Sequence, residues 1–314
     1  MKLGLGTAAL GRPQYINVRK ENCDNSDLNH FRKHSFTVLE DAYQSGIRYF
    51  DTAPGYGLAE ELLIEWLQTK NDASIKIATK WGYTYTANFD INATVHEIKE
   101  HSLFKLNEQW NFSKKLLPYL KVYQIHSATL ETGVLENKEV LTKLAYLKKE
   151  HHLKIGLTTT GTSQLKVIKK ALNVLVDGKQ VFDIFQVTYN ILDQSLKEIS
   201  DELLSQNKSI IIKEALANGR LLKNNNFPHY SRMYVTLENL SKKYKVGADA
   251  ICLKYCEQTI ANSIILSGAS NSEQLKENLK TNTFSLSNNE IELLNSFKTS
   301  TDSYWTERKK LPWN

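Results

Sequence analysis

The stretch RYFDTAPGYG, Arg48 to Gly57, carries the reading of the fold. The apolar run Ile47–Asp51 ends on a carboxylate and meets Pro54, Gly55 and Gly57, residues suited to a tight turn. Beyond the turn, 59–67 sets Leu62, Leu63, Trp66 and Leu67 on one helical face. Strand, turn and amphipathic helix make one β–α unit, and the unit recurs on both sides. The expected strands are Lys2–Gly6, Ile47–Asp51, Ile75–Thr79, Val122–Ile125, Lys154–Leu157, Asp183–Val187, Ser209–Ile212 and Ser263–Leu266. Runs such as IKIAT and IIIK suit strands of a parallel sheet buried on both faces. Helices are expected over 34–45, 59–67, 94–117, 137–151, 163–176, 194–205, 231–257, 272–280 and 288–297. Asn137 and Ser163 read as N-caps, Asn271 or Ser272 as another, and Gly46 and Gly178 as helix stops. Eight such units predict an α/β fold, a (β/α)8 TIM barrel in one domain over 1–314, with an open doubly wound sheet as the alternative. A last helix and a short aromatic tail, 302–314, are expected over the barrel mouth.

Composition narrows the function classes. The chain has 314 residues, 41% hydrophobic and 24% charged, enough apolar material for one large core. The net charge of +6 comes from 40 basic and 34 acidic residues without a block of one sign, so neither nucleic acid nor a membrane is an expected partner. No run of about 18 apolar residues is present, and MKLGLGTAAL lacks a signal-peptide core, so a cytoplasmic protein is expected. Three cysteines, Cys23, Cys252 and Cys256, do not make a disulfide framework. Cys252 and Cys256 read as buried helix residues.

In such barrels the chemistry lies at the carboxyl ends of the strands. The second strand ends on Asp51, with Tyr56 in the turn that follows. IKIATKWG delivers Lys80, and VYQIHSAT delivers His126. Each alone has a bland reading: a turn carboxylate, a solvated lysine, a packed tyrosine, a satisfied core histidine. Jointly, at one end of consecutive strands, they read as a reacting cluster. A free phenol titrates at about pH 10, and a neighbouring ammonium lowers that value. Lys80 is expected to do this for Tyr56, with Asp51 holding the lysine. Tyr56 then passes a proton to or from a substrate oxygen, which His126 orients. A hydride would have to come from a cofactor, because no side chain supplies one.

These segments resemble the aldo-keto reductases. GLGTAAL, FDTAPGYG, IATKWG, YQIHS, the IGL strand, FQVTYN and GASNSEQLKEN occur in that family's order, from Leu3 to about Asn278. The resemblance implies catalytic Asp51, Tyr56, Lys80 and His126. It implies NADPH as cofactor, with NADH as the alternative, bound without a G-x-G-x-x-G motif. Cofactor contacts are implied at Gly6, Thr7, Asp51, Thr158, Gln186, Lys213, Leu216, Asn218, Gly268, Ser270, Gln274 and Asn278. Gln274 stands where arginine is frequent, Gly268 where lysine is frequent, and Lys213 where an aromatic is frequent. Arginine offers a charged fork to phosphate that glutamine lacks, which opens NADH use.

Tyr15, Trp81 and Trp305 are candidate substrate contacts, with Tyr83, Tyr85, Tyr304 and Trp313 nearby in sequence. The expected substrate is a small carbonyl compound (aldehyde, ketone or aldose) or its alcohol. The expected protein is a monomer or small homo-oligomer. A regulatory barrel that binds nicotinamide without turnover is the second reading. A metal hydrolase is disfavoured because only one histidine falls at a strand end.

Overall fold

The computed structural model describes residues 2–12, 28–90 and 92–312. Tyr15, Cys23 and Trp313 lie outside them. The strands are β1 Lys2–Gly6, β2 Tyr49–Asp51, β3 Lys76–Trp81, β4 Tyr83–Tyr85, β5 Glu97–Lys99, β6 Leu120–Ala128, β7 Lys154–Thr159, β8 Leu175–Val176, β9 Lys179–Gln180, β10 Ile184–Thr188, β11 Ser209–Lys213 and β12 Ile264–Ser267. Eight of them close into a parallel barrel in the order β1-β12-β11-β10-β7-β6-β3-β2. All eight expected strands are therefore barrel strands. The helices are α1 Ala8–Gly11, α2 Leu28–Gln44, α3 Ala59–Leu67, α4 Leu103–Ser113, α5 Lys138–Glu150, α6 Gln164–Leu172, α7 Ser200–Ser205, α8 Ser231–Tyr244, α9 Ala248–Thr259, α10 Ser272–Leu279, α11 Asn288–Asn295 and α12 Thr301–Lys309.

Helices and strand exteriors share one core, with Phe50, Leu63, Trp66, Leu144 and Ile168 within it. Cys252 and Cys256 are buried there as expected. A second cluster, Tyr49, Ala78, Val122, Ile184 and Ile211, fills the barrel interior. Strand side chains alternate with period two, so the residue two positions on from each of these faces the same interior, one layer nearer the mouth. That step gives Asp51, Lys80, Gln124, Gln186 and Lys213. An apolar plug thus carries a polar layer above it, set by strand periodicity.

Four expectations about local structure need correction. The stretch 94–117 is not one helix. Its start pairs antiparallel with β4, Thr84 opposite Ile98, and α4 begins only after Ser102, whose hydroxyl accepts from the Lys105 N–H. The helix expected over 163–176 ends at Leu172, and Ser163 makes no side-chain cap. Asp177 and Gly178 both have positive φ and turn the β8–β9 hairpin, the Asp-Gly signal for such a turn. The stretch 231–257 holds two helices, parted at Lys245, which takes the left-handed conformation at φ 56°. The tail is largely helical: Ser300 caps α12, which buries Tyr304 and Trp305 against the barrel. Asn137 and Asn271 cap as expected, and Gly46 ends α2 at φ 89°. No helix among the described residues is long and apolar enough to cross a membrane.

Candidate active site

The polar layer is knitted around Asp51. Lys80 donates to its Oδ2 and, at 3.0 Å, to the Thr52 carbonyl. Gln186 Nε2 donates to its Oδ1 at 2.8 Å, and Gln124 Nε2 lies 3.4 Å from the same atom. Asp51 and Lys80 are 2% and 0% exposed, so their charges are compensated within the barrel. Thr7 fixes the strand tip: its N–H and its hydroxyl both donate to the Asp51 carbonyl, at 2.9 and 3.1 Å.

Tyr56 stands over this layer from the one-turn helix Pro54–Tyr56. Its hydroxyl is 3.5 Å from His126 Nε2, and the Lys80 ammonium is 4.7 Å from its ring centroid. All four sequence candidates therefore meet. The expected lowering of the Tyr56 phenol is corrected. Burial, then the Asp51 carboxylate, raises it well above its ordinary value, and only then does Arg12 oppose them. Lys80 has given its charge to Asp51, so desolvation wins. Burial, with Lys80, Arg12, Lys213 and His101 adding to it, holds His126 well below the usual imidazole range. A neutral imidazole and a protonated phenol thus face one point where a substrate oxygen can sit.

The hairpin β4–β5, absent from the sequence reading, completes this wall. Tyr83 sets its ring 4.7 Å from that of His126, edge to face. His101 Nε2 sits 2.9 Å from the His126 carbonyl, and Lys99 donates to the Ser127 carbonyl at 3.1 Å. Ser127 has φ 52°, and its N–H donates to the Thr158 hydroxyl at 2.6 Å. Two of the expected pocket aromatics, Trp81 and Trp305, are 0% and 2% exposed and pack in the core, while the half-buried Tyr83 is the aromatic beside His126.

The expected cofactor contacts divide. Gly6, Thr7, Asp51, Thr158, Gln186 and Lys213 gather round the mouth, at the ends of β1, β2, β7, β10 and β11. Leu216 and Asn218 lie in the connection after β11, where Ala217 and Asn218 have positive φ. Gly268 and Ser270 follow β12. Gly268 is exposed, and a Cβ there would meet nothing within 4 Å. Ser270 donates from N–H and hydroxyl to the Gln274 side-chain Oε1, at 2.9 and 3.2 Å. Asn278 is corrected: it does not face outward toward an adenine. It is buried, its amide oxygen accepting from Ser267 Oγ at 2.7 Å and its nitrogen donating to Asp249 at 2.6 Å. The residues present fit a nicotinamide dinucleotide in one respect: the Gln186 amide lies in the reacting layer, where a carboxamide can meet it. Lys213 is paired with Glu214, 3.7 Å away.

Sequence reasoning missed Gln124, which the period-two step from Val122 identifies. It also missed Glu60, the second residue of α3, whose carboxyl accepts from Thr79 and, at 2.8 Å, from Ser113. Burial raises it to about 7 despite these two hydroxyls. A carboxyl raised on folding contributes stability that is whole below its unfolded value near 4.5 and is lost as pH rises through about 7. Glu60→Gln should therefore stabilise the protein above pH 7, by on the order of 3 kcal/mol, and the gain should vanish below about pH 4.5. Urea unfolding at several pH values measures this; a gain independent of pH would refute it.

The Aldo/keto reductase family model matches residues 2–299, and the chain belongs to that family. The uncharacterized oxidoreductase YqkF of Bacillus subtilis (strain 168) is 25% identical over 300 residues, covering 87% of this chain and 90% of its own. The NADH-specific methylglyoxal reductase of Escherichia coli (strain K12) is 22% identical over 325 residues, covering 93% of each. The glycerol dehydrogenase AKR11B4 from Gluconobacter oxydans shares the fold with a TM-score of 0.71, over 100% of this chain and 94% of that one, at 18% identity. Family membership makes the protein an oxidoreductase of carbonyl compounds and alcohols.

Proposed function

We propose that the protein interconverts a small aldehyde, ketone or aldose with its alcohol, using a nicotinamide dinucleotide and Tyr56 as proton donor and acceptor. The observation that carries this reading is the meeting of the Tyr56 hydroxyl and His126 Nε2, 3.5 Å apart, above the Lys80–Asp51 pair. The dinucleotide supplies or takes the hydride when bound. Gln186 holds its amide against Asp51 and stands ready for a carboxamide. Neutral His126 hydrogen-bonds the substrate oxygen without competing for its proton. Tyr56, protonated through neutral pH, gives its proton to that oxygen during reduction. In oxidation it must first be deprotonated, so the oxidation rate should climb as pH rises. Lys80 and Asp51 keep a fixed dipole under the phenol as charge develops.

The adenosine end supports NADH over NADPH. Gln274 is neutral and exposed, its side-chain amide oxygen accepting from Ser270, and Ser272 donates its hydroxyl to the Asp41 carboxylate. With Glu273 in the first turn of α10, the start of that helix carries negative charge where a 2′-phosphate would add more. NADH should bind at least about tenfold tighter than NADPH, about 1.4 kcal/mol. Titration by nicotinamide fluorescence checks this. Equal or reversed affinities would sink the preference. Absence of binding by either would sink the enzyme reading and the sensor reading alike. A sensor would bind the dinucleotide without turning over any of a panel of aldehydes, ketones and aldoses.

A further inference from the structure

Arg12 follows α1 at the end of the segment that leads from β1 to the mouth. Its side chain is 2% exposed. A buried guanidinium is costly to desolvate and must find partners. Nη1 donates to the Gly55 carbonyl at 2.8 Å and to Glu97 on β5 at 2.9 Å. One end of the side chain therefore grips the turn that presents Tyr56, and the same group grips the hairpin that presents Tyr83. The guanidinium carbon stands 5.5 Å from the Tyr56 ring centroid and 5.8 Å from that of Tyr85. The backbone leaves little slack here. A Cβ on Gly11 would lie 1.9 Å from the Tyr56 carbonyl, and one on Gly57 would lie 2.4 Å from the Gly11 carbonyl. The segment carrying Arg12 and the turn carrying Tyr56 thus touch backbone to backbone, and the Leu58 N–H donates to the Gly11 carbonyl at 2.8 Å.

We propose that Arg12 is a positioning residue for Tyr56: it locks the tyrosine's turn to the β4–β5 hairpin and sets a fixed positive charge beside the phenol. The inference rests on the proposed role of Tyr56 and deepens it. Each cation near the phenol brings a carboxylate with it, Lys80 pairing with Asp51 and Arg12 with Glu97. The charged and titratable groups facing Tyr56 include Asp51 from β2, Lys80 from β3, Glu97 from β5, His126 from β6, Glu214 after β11, and Arg12. Asp51, Glu97 and Glu214 raise the phenol, and Arg12 lowers it. Removing Arg12 leaves the three carboxylates less opposed; removing Glu97 leaves Arg12 more effective. The two substitutions should therefore move Tyr56 in opposite directions, which a purely structural tether would not do.

The test replaces tyrosine globally by 3-fluorotyrosine, whose phenol is more acidic, and assigns Tyr56 by the 19F resonance lost in Tyr56→Phe. The Tyr56 titration should shift up by about one pH unit in Arg12→Met, stay near wild type in Arg12→Lys, and shift down in Glu97→Gln. In the oxidation direction, the pH limb of kcat should move with it. Arg12→Lys, which keeps the charge and loses the planar fork, should lower kcat with its pH profile unchanged. Unchanged titration in both Arg12→Met and Glu97→Gln, or shifts of one sign, would overturn the proposal. Should Arg12→Met fail to fold, Glu97→Gln decides by the direction of its shift. The titration needs no substrate, so a wild-type protein without turnover would refute the proposed function and leave this readout standing on its own.

Discussion

Replacing Tyr56 by phenylalanine removes one oxygen and should reduce turnover on the order of 10²–10⁴-fold, the usual worth of a positioned proton donor. The phenol is protonated at neutral pH and lies within hydrogen-bond range of His126 Nε2. His126, held neutral by burial, stays a hydrogen-bond partner. Lys80 is committed to Asp51 and the Thr52 carbonyl. Dinucleotide affinity should be unchanged, because the Tyr56 hydroxyl contacts His126, which is not one of the expected cofactor residues. Steady-state kinetics together with fluorescence titration of the dinucleotide check both halves. A Tyr56→Phe protein that keeps wild-type kcat would remove the proton-donor role and shift attention to His126.

The second large effect concerns stability. Glu214 follows β11 with φ 54°, a left-handed conformation that costs a non-glycine residue strain. Its carboxylate receives Arg308 at 2.8 Å and lies 3.7 Å from the Lys213 ammonium; its side chain is buried. Burial alone would raise this carboxyl, but Lys213, Arg308 and Arg220 outweigh it and hold it well below the usual range. A carboxyl lowered on folding contributes stability that is present above its unfolded value and lost as pH falls through the folded one. Beside it, Arg220 meets Glu307 at 2.8 Å, so α12 is fastened to the barrel by two ion pairs. Glu214→Gln keeps the shape and deletes the charge, leaving Lys213 and Arg308 facing each other. The expected loss is about 3–5 kcal/mol, as for breaking a buried pair. The melting midpoint should fall by roughly 5–8 °C. A midpoint within a degree of wild type would mean that Arg220–Glu307 and the packing of Tyr304 hold α12 by themselves.

The two effects locate what was legible beforehand. The order of strands and the four reacting residues follow from local rules. Buried parallel strands must be short apolar runs, and the barrel must expose chemistry at their carboxyl ends. Asp51, Lys80 and His126 each sit at such an end, and Tyr56 sits in a turn shaped by Pro54 and Gly55. The hairpin β4–β5 was hidden because Tyr83–Tyr85 and Glu97–Lys99 are three residues each, too short for their alternation to outvote the helical pattern of 103–113. Its Asp-Gly counterpart at 177–178 carried a turn signal, but it lay where a helix was already ending.

Electrostatics divides along the same line. Residue types alone made Lys80 the cation that would acidify Tyr56, since an ammonium nearby lowers a phenol. Only the folded arrangement assigns that ammonium to Asp51 and brings Arg12, 44 positions before Tyr56, to within 5.5 Å of the same ring. The sequence determined the barrel, the polar layer and the identity of its reactive groups, because strand periodicity and strand ends are local properties. The tertiary structure decided which charge cancels which, which aromatics are core and which face the site, and how the last helix is fastened. Those depend on burial and on contacts between residues far apart in the chain, for which no local pattern stands proxy.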